Sequence, residues 1–408
     1  MKLEERALLF AAVGIVCYLV AFLTSQAVVT WIVPEKVREG LGSSSRNIPI
    51  DGIRGYLAFG VYVHHCLLTW ITMRDGRFVS LPRNFEFELG ATSVAIFFMI
   101  TAYLFWGRAQ AKGGIEVKGF FISRLFRIYP LYLFALASIC AGVVYKGHWA
   151  MHESPLRVVE EIGKWLCFRT PDINSYPAIQ INAVTWTLLY EAWFYLSLPL
   201  LVGLFFRRYR VLNSILALAI VALLFKYNRL QINIAATFLG GVAAVYWGTS
   251  QKRRALAQTP VAAFVALICL GCAAFLMYRP FNPVGIVLLA VFFIVLSSGN
   301  TFFGFLRMRA GLWLGEISYS IYLLHAIVLW VIMENILPRL SVYHLTTAWF
   351  VISAIGITPI LILFSSATYL LIERPLINIG HQLSRRRAAA PASAPLERVA
   401  AQVPAGSN

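Results

Sequence analysis

Long apolar runs, cut at short intervals by basic and proline-containing segments, limit what this chain can fold into more than any single motif does. A helix of about 20 apolar residues crosses the ~30 Å hydrocarbon layer of a bilayer, and uncharged runs of that length have little place in a water-soluble core. Of the 408 residues, 59% are hydrophobic and only 13% are charged, and the mean hydropathy is +0.72. These values exclude an ordinary soluble domain and indicate an integral membrane protein built from helices.

The runs predict an all-α, polytopic fold with about eleven spans, at residues 7–32, 53–72, 89–106, 120–145, 183–206, 211–225, 232–248, 261–278, 283–303, 314–336 and 347–371. The run at 211–225 is short and needs local thinning of the bilayer to cross. Glu4 and Glu5 precede the first run and no small-residue cleavage pattern closes it, so it reads as a retained span and not as a signal peptide. Residues 146–182 form the longest stretch between runs, and that length suits a re-entrant or substrate-covering segment. Pro375 marks the expected end of the last span, with Glu373 and Arg374 as an ion pair at the membrane edge. The Ala-, Pro- and Ser-rich stretch beyond it predicts a disordered cytoplasmic tail over 377–408. No internal repeat is evident, which argues against a transporter with duplicated halves.

The formal net charge of +17 raises nucleic-acid binding, but the basic residues lie mainly in short segments between apolar runs, as a topology signal does. Eleven spans put the two termini on opposite sides. With the N-terminus outside, 22 of the 35 basic residues fall on the inner side, so the C-terminus is expected in the cytoplasm. The six cysteines lie mostly in apolar runs and read as small packing residues, with no disulfide framework or metal site implied. GxSxG, HExxH, Walker A and GxGxxG patterns are all missing, so hydrolase, zincin, ATPase and dinucleotide readings lose their usual support.

Against that apolar background a few polar residues stand out. The stretch DGIRGYLAFGVYVHHCLLTW opens with Asp51 and Arg54 and places His64 and His65 well inside a span. At 1.5 Å per residue His65 lies roughly 16 Å beyond Arg54, about half the depth of the hydrocarbon core. Eleven residues are close to three turns, so Arg54 and His65 share a face while His64 lies about 100° away. An ionisable group at that depth is costly, and an imidazole gains and loses a proton near neutral pH, which makes His65 a candidate base and His64 its neighbour in support.

Arg124 and Arg127, in SRLFRIYP, point the same way along a helix and suit phosphate groups; a cytoplasmic basic flank is the plainer alternative. Glu191, among apolar and aromatic neighbours in LLYEAWFY, has three readings: orienting a histidine, accepting a sugar hydroxyl, or tying two helices together. Trp186 is either a sugar-stacking surface or a member of the interfacial aromatic belt. In SYSIYLLH, Ser318, Tyr322 and His325 line one side of a helix, the pattern of a cavity wall.

Five of these segments, in order, resemble the membrane-bound acyltransferase 3 family: DGIRG with a histidine eleven residues after the arginine, RLFRIYP, WTLLYEAWFY, SYSIYLLH and the terminal YLLIERP. The resemblance covers residues 49–376 and implies a ten-helix acyltransferase domain there, preceded by an extra N-terminal span and short loop at 1–48. It further implies a multi-pass protein of the cell inner membrane that passes an acyl group, most often acetyl, from cytoplasmic acyl-CoA to a hydroxyl of a glycan or similar acceptor on the outer side. Acyl-CoA is then a co-substrate, no cofactor is tightly bound, and the bilayer, donor and acceptor are the partners, with no nucleic acid. By motif, Arg54 and His65 become the essential pair and Arg124 with Arg127 the acyl-CoA site, with Glu191, Tyr322 and His325 as an extension.

His65 as general base, with direct attack of the acceptor on the thioester, is the expected mechanism, and an acyl-histidine intermediate is its rival. Joint action of Arg54 and His65 requires an extended donor or a break in the helix at Gly55 or Gly60. An exporter of a related metabolite, using the same polar residues as its route, and a non-catalytic scaffold are the other readings.

Overall fold

The computed structural model describes residues 3–43, 47–76, 85–205, 230–276 and 280–388, with isolated positions between 215 and 223. Its elements are helical throughout. In chain order they are α1 (Leu3–Trp31), α2 (Glu35–Glu39), α3 (Ile48–Asp75), α4 (Phe85–Lys112), α5 (Val117–Lys146), α6 (Pro155–Leu166), α7 (Trp186–Phe205) and α8 (Ile232–Trp247). There follow α9 (Gln251–Ala257), α10 (Pro260–Gly271), α11 (Pro283–Ser297), α12 (Arg309–Glu316), α13 (Ser318–Leu329), α14 (Thr347–Thr368) and α15 (Arg374–Ala388).

Six helical stretches among the described residues are long and apolar enough to cross a membrane: Leu8–Trp31, Ile48–Asp75, Glu88–Lys112, Val117–Lys146, Ser318–Arg339 and Thr347–Ser384. Helices α8 and α9 together make a seventh if they form one span, although they are bent by 117°. The expectation of eleven spans is therefore corrected to six, or up to seven, among the described residues. Hydropathy counts apolar residues, whereas a crossing needs a straight helix of sufficient length. The runs at 261–278 and 283–303 become helices of 10–17 residues, which at 1.5 Å per residue reach at most about 26 Å. The helix in the run at 183–206 carries the polar side chains of Thr187, Glu191 and Tyr195. The run at 211–225 lies largely outside the described residues.

The last span does not stop at Pro375. A widened π turn, Tyr369–Glu373, re-spaces the backbone ladder just ahead of the proline, and the helix continues to Ala388. Residues 389–408 lie outside the described set.

Helix α3 holds the middle of the bundle, packed on α4, α12 and α13. Its close approach to α12 depends on glycine: a Cβ on Gly55 would run into Leu314 and one on Gly315 into the Asp51 carbonyl. Small residues let membrane helices meet backbone to backbone. The glycines of DGIRG thus serve packing, and α3 runs unbroken from Ile48 to Asp75, with no break at Gly55 or Gly60. Helix α1 lies against α14 and α12, tied by Ser25 Oγ donating to the Ala310 carbonyl at 2.8 Å. Its other side exposes Leu8, Ile15, Leu19 and Leu23.

The long segment after α5 is ordered. Ser154 caps α6 by accepting from the Arg157 N–H. On the buried side of α6, Glu161 accepts from the Asn174 N–H at 3.0 Å, Trp165 donates to the Pro171 carbonyl at 2.9 Å and Tyr132 of α5 donates to the Trp165 carbonyl at 2.6 Å.

Candidate functional site

Two polar levels lie along α3. At the first, the Nδ1 of half-buried His65 is 3.0 Å from the Val61 carbonyl, one turn back. A carbonyl oxygen only accepts, so Nδ1 carries the proton and neutral His65 holds its lone pair on Nε2. His325 on α13 repeats the arrangement, with Nδ1 3.0 Å from the Ile321 carbonyl. It is fully buried, its ring centroid is 5.0 Å from that of His65, and its Nε2 meets no hydrogen-bonding partner among the described residues. His64 is buried edge-on to His65 at 4.7 Å. Helix α4 reaches His64 because residue 90 is glycine; a Cβ there would lie 2.8 Å from the imidazole.

A cavity of about 730 Å³ opens against this level, walled by His64, His65 and Tyr322 together with Glu88, Trp186 and Tyr190. Trp186 stands edge-on to Tyr190 at 5.7 Å, and the Tyr190 hydroxyl accepts from the Gln231 N–H at 2.9 Å, joining α7 to the start of α8. The Tyr322 hydroxyl lies 2.6 Å from Thr187 Oγ1 and donates to the Val184 carbonyl at 3.2 Å. Asn182, also buried, donates through Nδ2 to the Leu323 carbonyl at 3.0 Å and accepts from the Val184 N–H at 3.3 Å. The turn entering α7 therefore grips the part of α13 that carries Tyr322 and His325.

The second level lies about 16 Å back along α3. There Arg54 is within electrostatic reach of Glu191 and Glu373. Glu191 accepts from Thr101 Oγ1 at 3.2 Å and from the Tyr195 hydroxyl at 3.3 Å. It is also within electrostatic reach of Arg124 on one side and of Tyr322 on the other, so it sits between the levels. The Arg124 guanidinium lies 4.7 Å over the Phe105 ring and donates to Ser123 Oγ at 3.2 Å. Arg127 pairs with Glu373 at 3.7 Å and lies 5.9 Å over the Tyr319 ring.

The edge pair expected between Glu373 and Arg374 thus gives way to a cross-helix pair with Arg127. The Glu373 side chain has no exposure and also accepts from the Ser320 hydroxyl. Adjacent residues on a helix point in different directions, whereas the turn Tyr369–Glu373 packs against α5. Asp51 belongs to the first turn of α3, where a carboxylate complements the helix dipole.

Of the residues singled out from sequence, His64, His65, Trp186, Tyr322 and His325 come together at the cavity level, Arg54, Arg124 and Arg127 at the other, and Glu191 lies between. Arg54 and His65 do not meet. Sequence reasoning missed Thr101, Thr187 and Tyr195, whose signal is a hydroxyl inside an apolar run, and Glu88, which has no pattern around it. Among the described residues no group of three or more His, Cys, Asp or Glu is placed to hold a metal ion.

Residues 47–366 match the acyltransferase 3 family, described as an acyltransferase domain. Curated relatives include the O-acetyltransferase OatA of Staphylococcus aureus strains NCTC 8325 / PS 47, COL and MRSA252, each 25% identical over 327 residues. The alignment takes in 69% of this chain and 50% of each relative, so the chain spans about half the length of the curated proteins it matches. No solved structure matches the chain.

Proposed function

This chain belongs to the acyltransferase 3 family, and we propose that it moves an acyl group, most simply acetyl, from acyl-CoA to a hydroxyl of a glycan-like acceptor, in the inner membrane of the cell. The arginine level takes the donor. Arg124 and Arg127 present two guanidiniums to the phosphates of CoA, for which planar, fixed donors suit better than lysine. The concentration of arginines at that end gives it the cytoplasmic side, and with it the C-terminus, by the usual bias of basic residues.

The cavity level takes the acceptor. Trp186 offers a ring face to a sugar, and Tyr322 and Glu88 offer oxygens to its hydroxyls. His65 Nε2 removes the proton from the attacking hydroxyl, whose oxygen forms the new bond to the thioester carbonyl. The C–S bond then breaks, and the His65 proton passes to the departing thiolate, so that ester and free thiol leave and the imidazole returns neutral. Because α3 is continuous, Arg54 acts at the donor level and the pantetheine arm spans the distance to His65. Glu191, between the two levels, holds Arg54 and Arg124 in place while the arm passes.

The observation that carries this reading is a base with an assigned lone pair on the wall of a 730 Å³ cavity, about three turns along α3 from Arg54. The test is release of free CoA by the purified full chain in lipid nanodiscs, with acetyl-CoA and a neutral oligosaccharide. Release that needs both substrates, with an acetylated product by mass spectrometry, supports the proposal. Movement of the oligosaccharide without thiol release contradicts it.

A further inference from the structure

The cavity beside the histidines continues past the groups that the transfer step uses. His65 and Tyr322 enter its wall from α3 and α13, whereas the start of α8 supplies Gln231 and Asn233 and the segment entering α11 supplies Asn282. A chain of contacts fixes the order of these groups along the wall. Tyr322 meets Thr187 at 2.6 Å, and Thr187 follows Trp186 in the first turn of α7. Trp186 stands edge-on to Tyr190 at 5.7 Å, and the Tyr190 hydroxyl accepts from the Gln231 N–H at 2.9 Å. Two aromatic side chains thus separate the amides of α8 from Tyr322 and the histidines. Helix α4 underlies the gap, because α3 and α8 both pack on it and its first turns give Gly90 and Ala91 to the wall.

Size and chemistry narrow what fills the α8 end. At about 730 Å³ the cavity lies in the upper part of the ~300–1,000 Å³ range of ligand pockets, and one sugar ring held at His65 leaves that end empty. Gln231 and Asn233 are exposed, and Gln231 does not spend its side chain on capping α8. Asn282 does cap its helix, accepting from the Gly285 N–H at 2.6 Å. The Gln231 and Asn233 carboxamides each offer an acceptor oxygen and two N–H donors, the complement of a sugar hydroxyl, which both donates and accepts. Both are neutral, so they meet hydroxyls without the cost of stripping water from a charge.

We propose that the start of α8 is a second sugar subsite, where Gln231 and Asn233 hold the unit next to the one that receives the acyl group. The acceptor is then a chain of at least two sugars, and these two amides read its length. The inference rests on the acyl-transfer reading for the sugar at His65.

Thiol release and calorimetric binding test it, measured on the full chain in nanodiscs with acetyl-CoA and with β-1,4-linked oligomers of glucose and of N-acetylglucosamine, from the single sugar upward. A net hydrogen bond of about 1 kcal/mol is worth about five-fold. The expected result is therefore a rise of roughly 25-fold in kcat/KM and in affinity from one unit to two, five-fold for each amide. Gln231→Ala and Asn233→Ala should each cut that ratio about five-fold, and the double variant should bring it near one. Wild-type values that do not change with length overturn the inference while acyl transfer stands. An equal fall at every length in the variants also overturns it, because the amides then support the pocket as a whole and do not read a second unit. Absence of thiol release with every acceptor contradicts the acyl-transfer reading instead, and the binding ratio then decides the subsite by itself.

Discussion

Thr187→Val removes one hydroxyl from the turn that holds Tyr322 and leaves the shape of the side chain nearly unchanged. The Tyr322 hydroxyl has two partners, Thr187 Oγ1 at 2.6 Å and the Val184 carbonyl at 3.2 Å. After the substitution it keeps the carbonyl, so it is not orphaned. The loss is then near the net value of one buried hydrogen bond, about 1 kcal/mol, and not the larger penalty of an unsatisfied group. If Tyr322 engages the acceptor, that energy appears as a fall of about five-fold in kcat/KM for the acceptor, since about 1.4 kcal/mol corresponds to a factor of ten. KM for acyl-CoA should stay unchanged.

The assay is thiol release in nanodiscs at saturating acyl-CoA while the acceptor is varied, for Thr187→Val, Thr187→Ser and Tyr322→Phe. Thr187→Ser should recover most of the loss. In a Tyr322→Phe background Thr187→Val should cost nothing further, because the group it positions is gone. Wild-type kinetics in Thr187→Val, or additive losses in the double variant, would refute the assignment of Thr187 to Tyr322.

Other outcomes follow from the packing and the donor level. Gly315→Ala forces a Cβ into the Asp51 carbonyl and should destabilise by about 1–3 kcal/mol or prevent folding, read as a lowered thermal transition and loss of monodisperse protein on size exclusion. Glu373→Ala strips the partner from Arg127, which keeps 22% exposure; the full cost of breaking a buried pair is about 3–5 kcal/mol, and solvent at Arg127 brings it to roughly 2 kcal/mol, again read by thermal unfolding. Arg127→Lys removes the planar fork and should raise KM for acyl-CoA about ten-fold with KM for acceptor unchanged.

How far these features could be read from the chain depends on whether their cause is local. The position of His65 relative to Arg54 follows from helical rise alone, and α3 is continuous between them. The inward polar side of SYSIYLLH likewise follows from three-and-four spacing, and Ser318, Tyr322 and His325 are all buried. The number of crossings is not local in this sense. Pro260–Phe275 and Pro283–Ser297 are as apolar as a span but too short, and nothing in hydropathy reports the 117° bend between α8 and α9.

Partner choice was equally hidden. Glu373 stands next to Arg374 in sequence yet pairs with Arg127, because the turn Tyr369–Glu373 packs against α5. Thr187 resembles any hydroxyl in an apolar helix until Tyr322, 135 positions away, comes within 2.6 Å. The glycines of DGIRG were visible as glycines, but the use of Gly55 in meeting Leu314 appears only when α12 is in place, and that of Gly52 only when Leu306 is.

The most direct test of the account is the fate of acyl-CoA when His65 is lost. Wild type and His65→Ala, both confirmed as folded and monodisperse in nanodiscs, are supplied with acetyl-CoA with and without acceptor, and free thiol is followed over time. The account predicts acceptor-dependent thiol release in the wild type and a loss of about 10²–10⁴ in His65→Ala, the usual contribution of a positioned base. Full activity in His65→Ala, or thiol release by the wild type that ignores the acceptor, would contradict it.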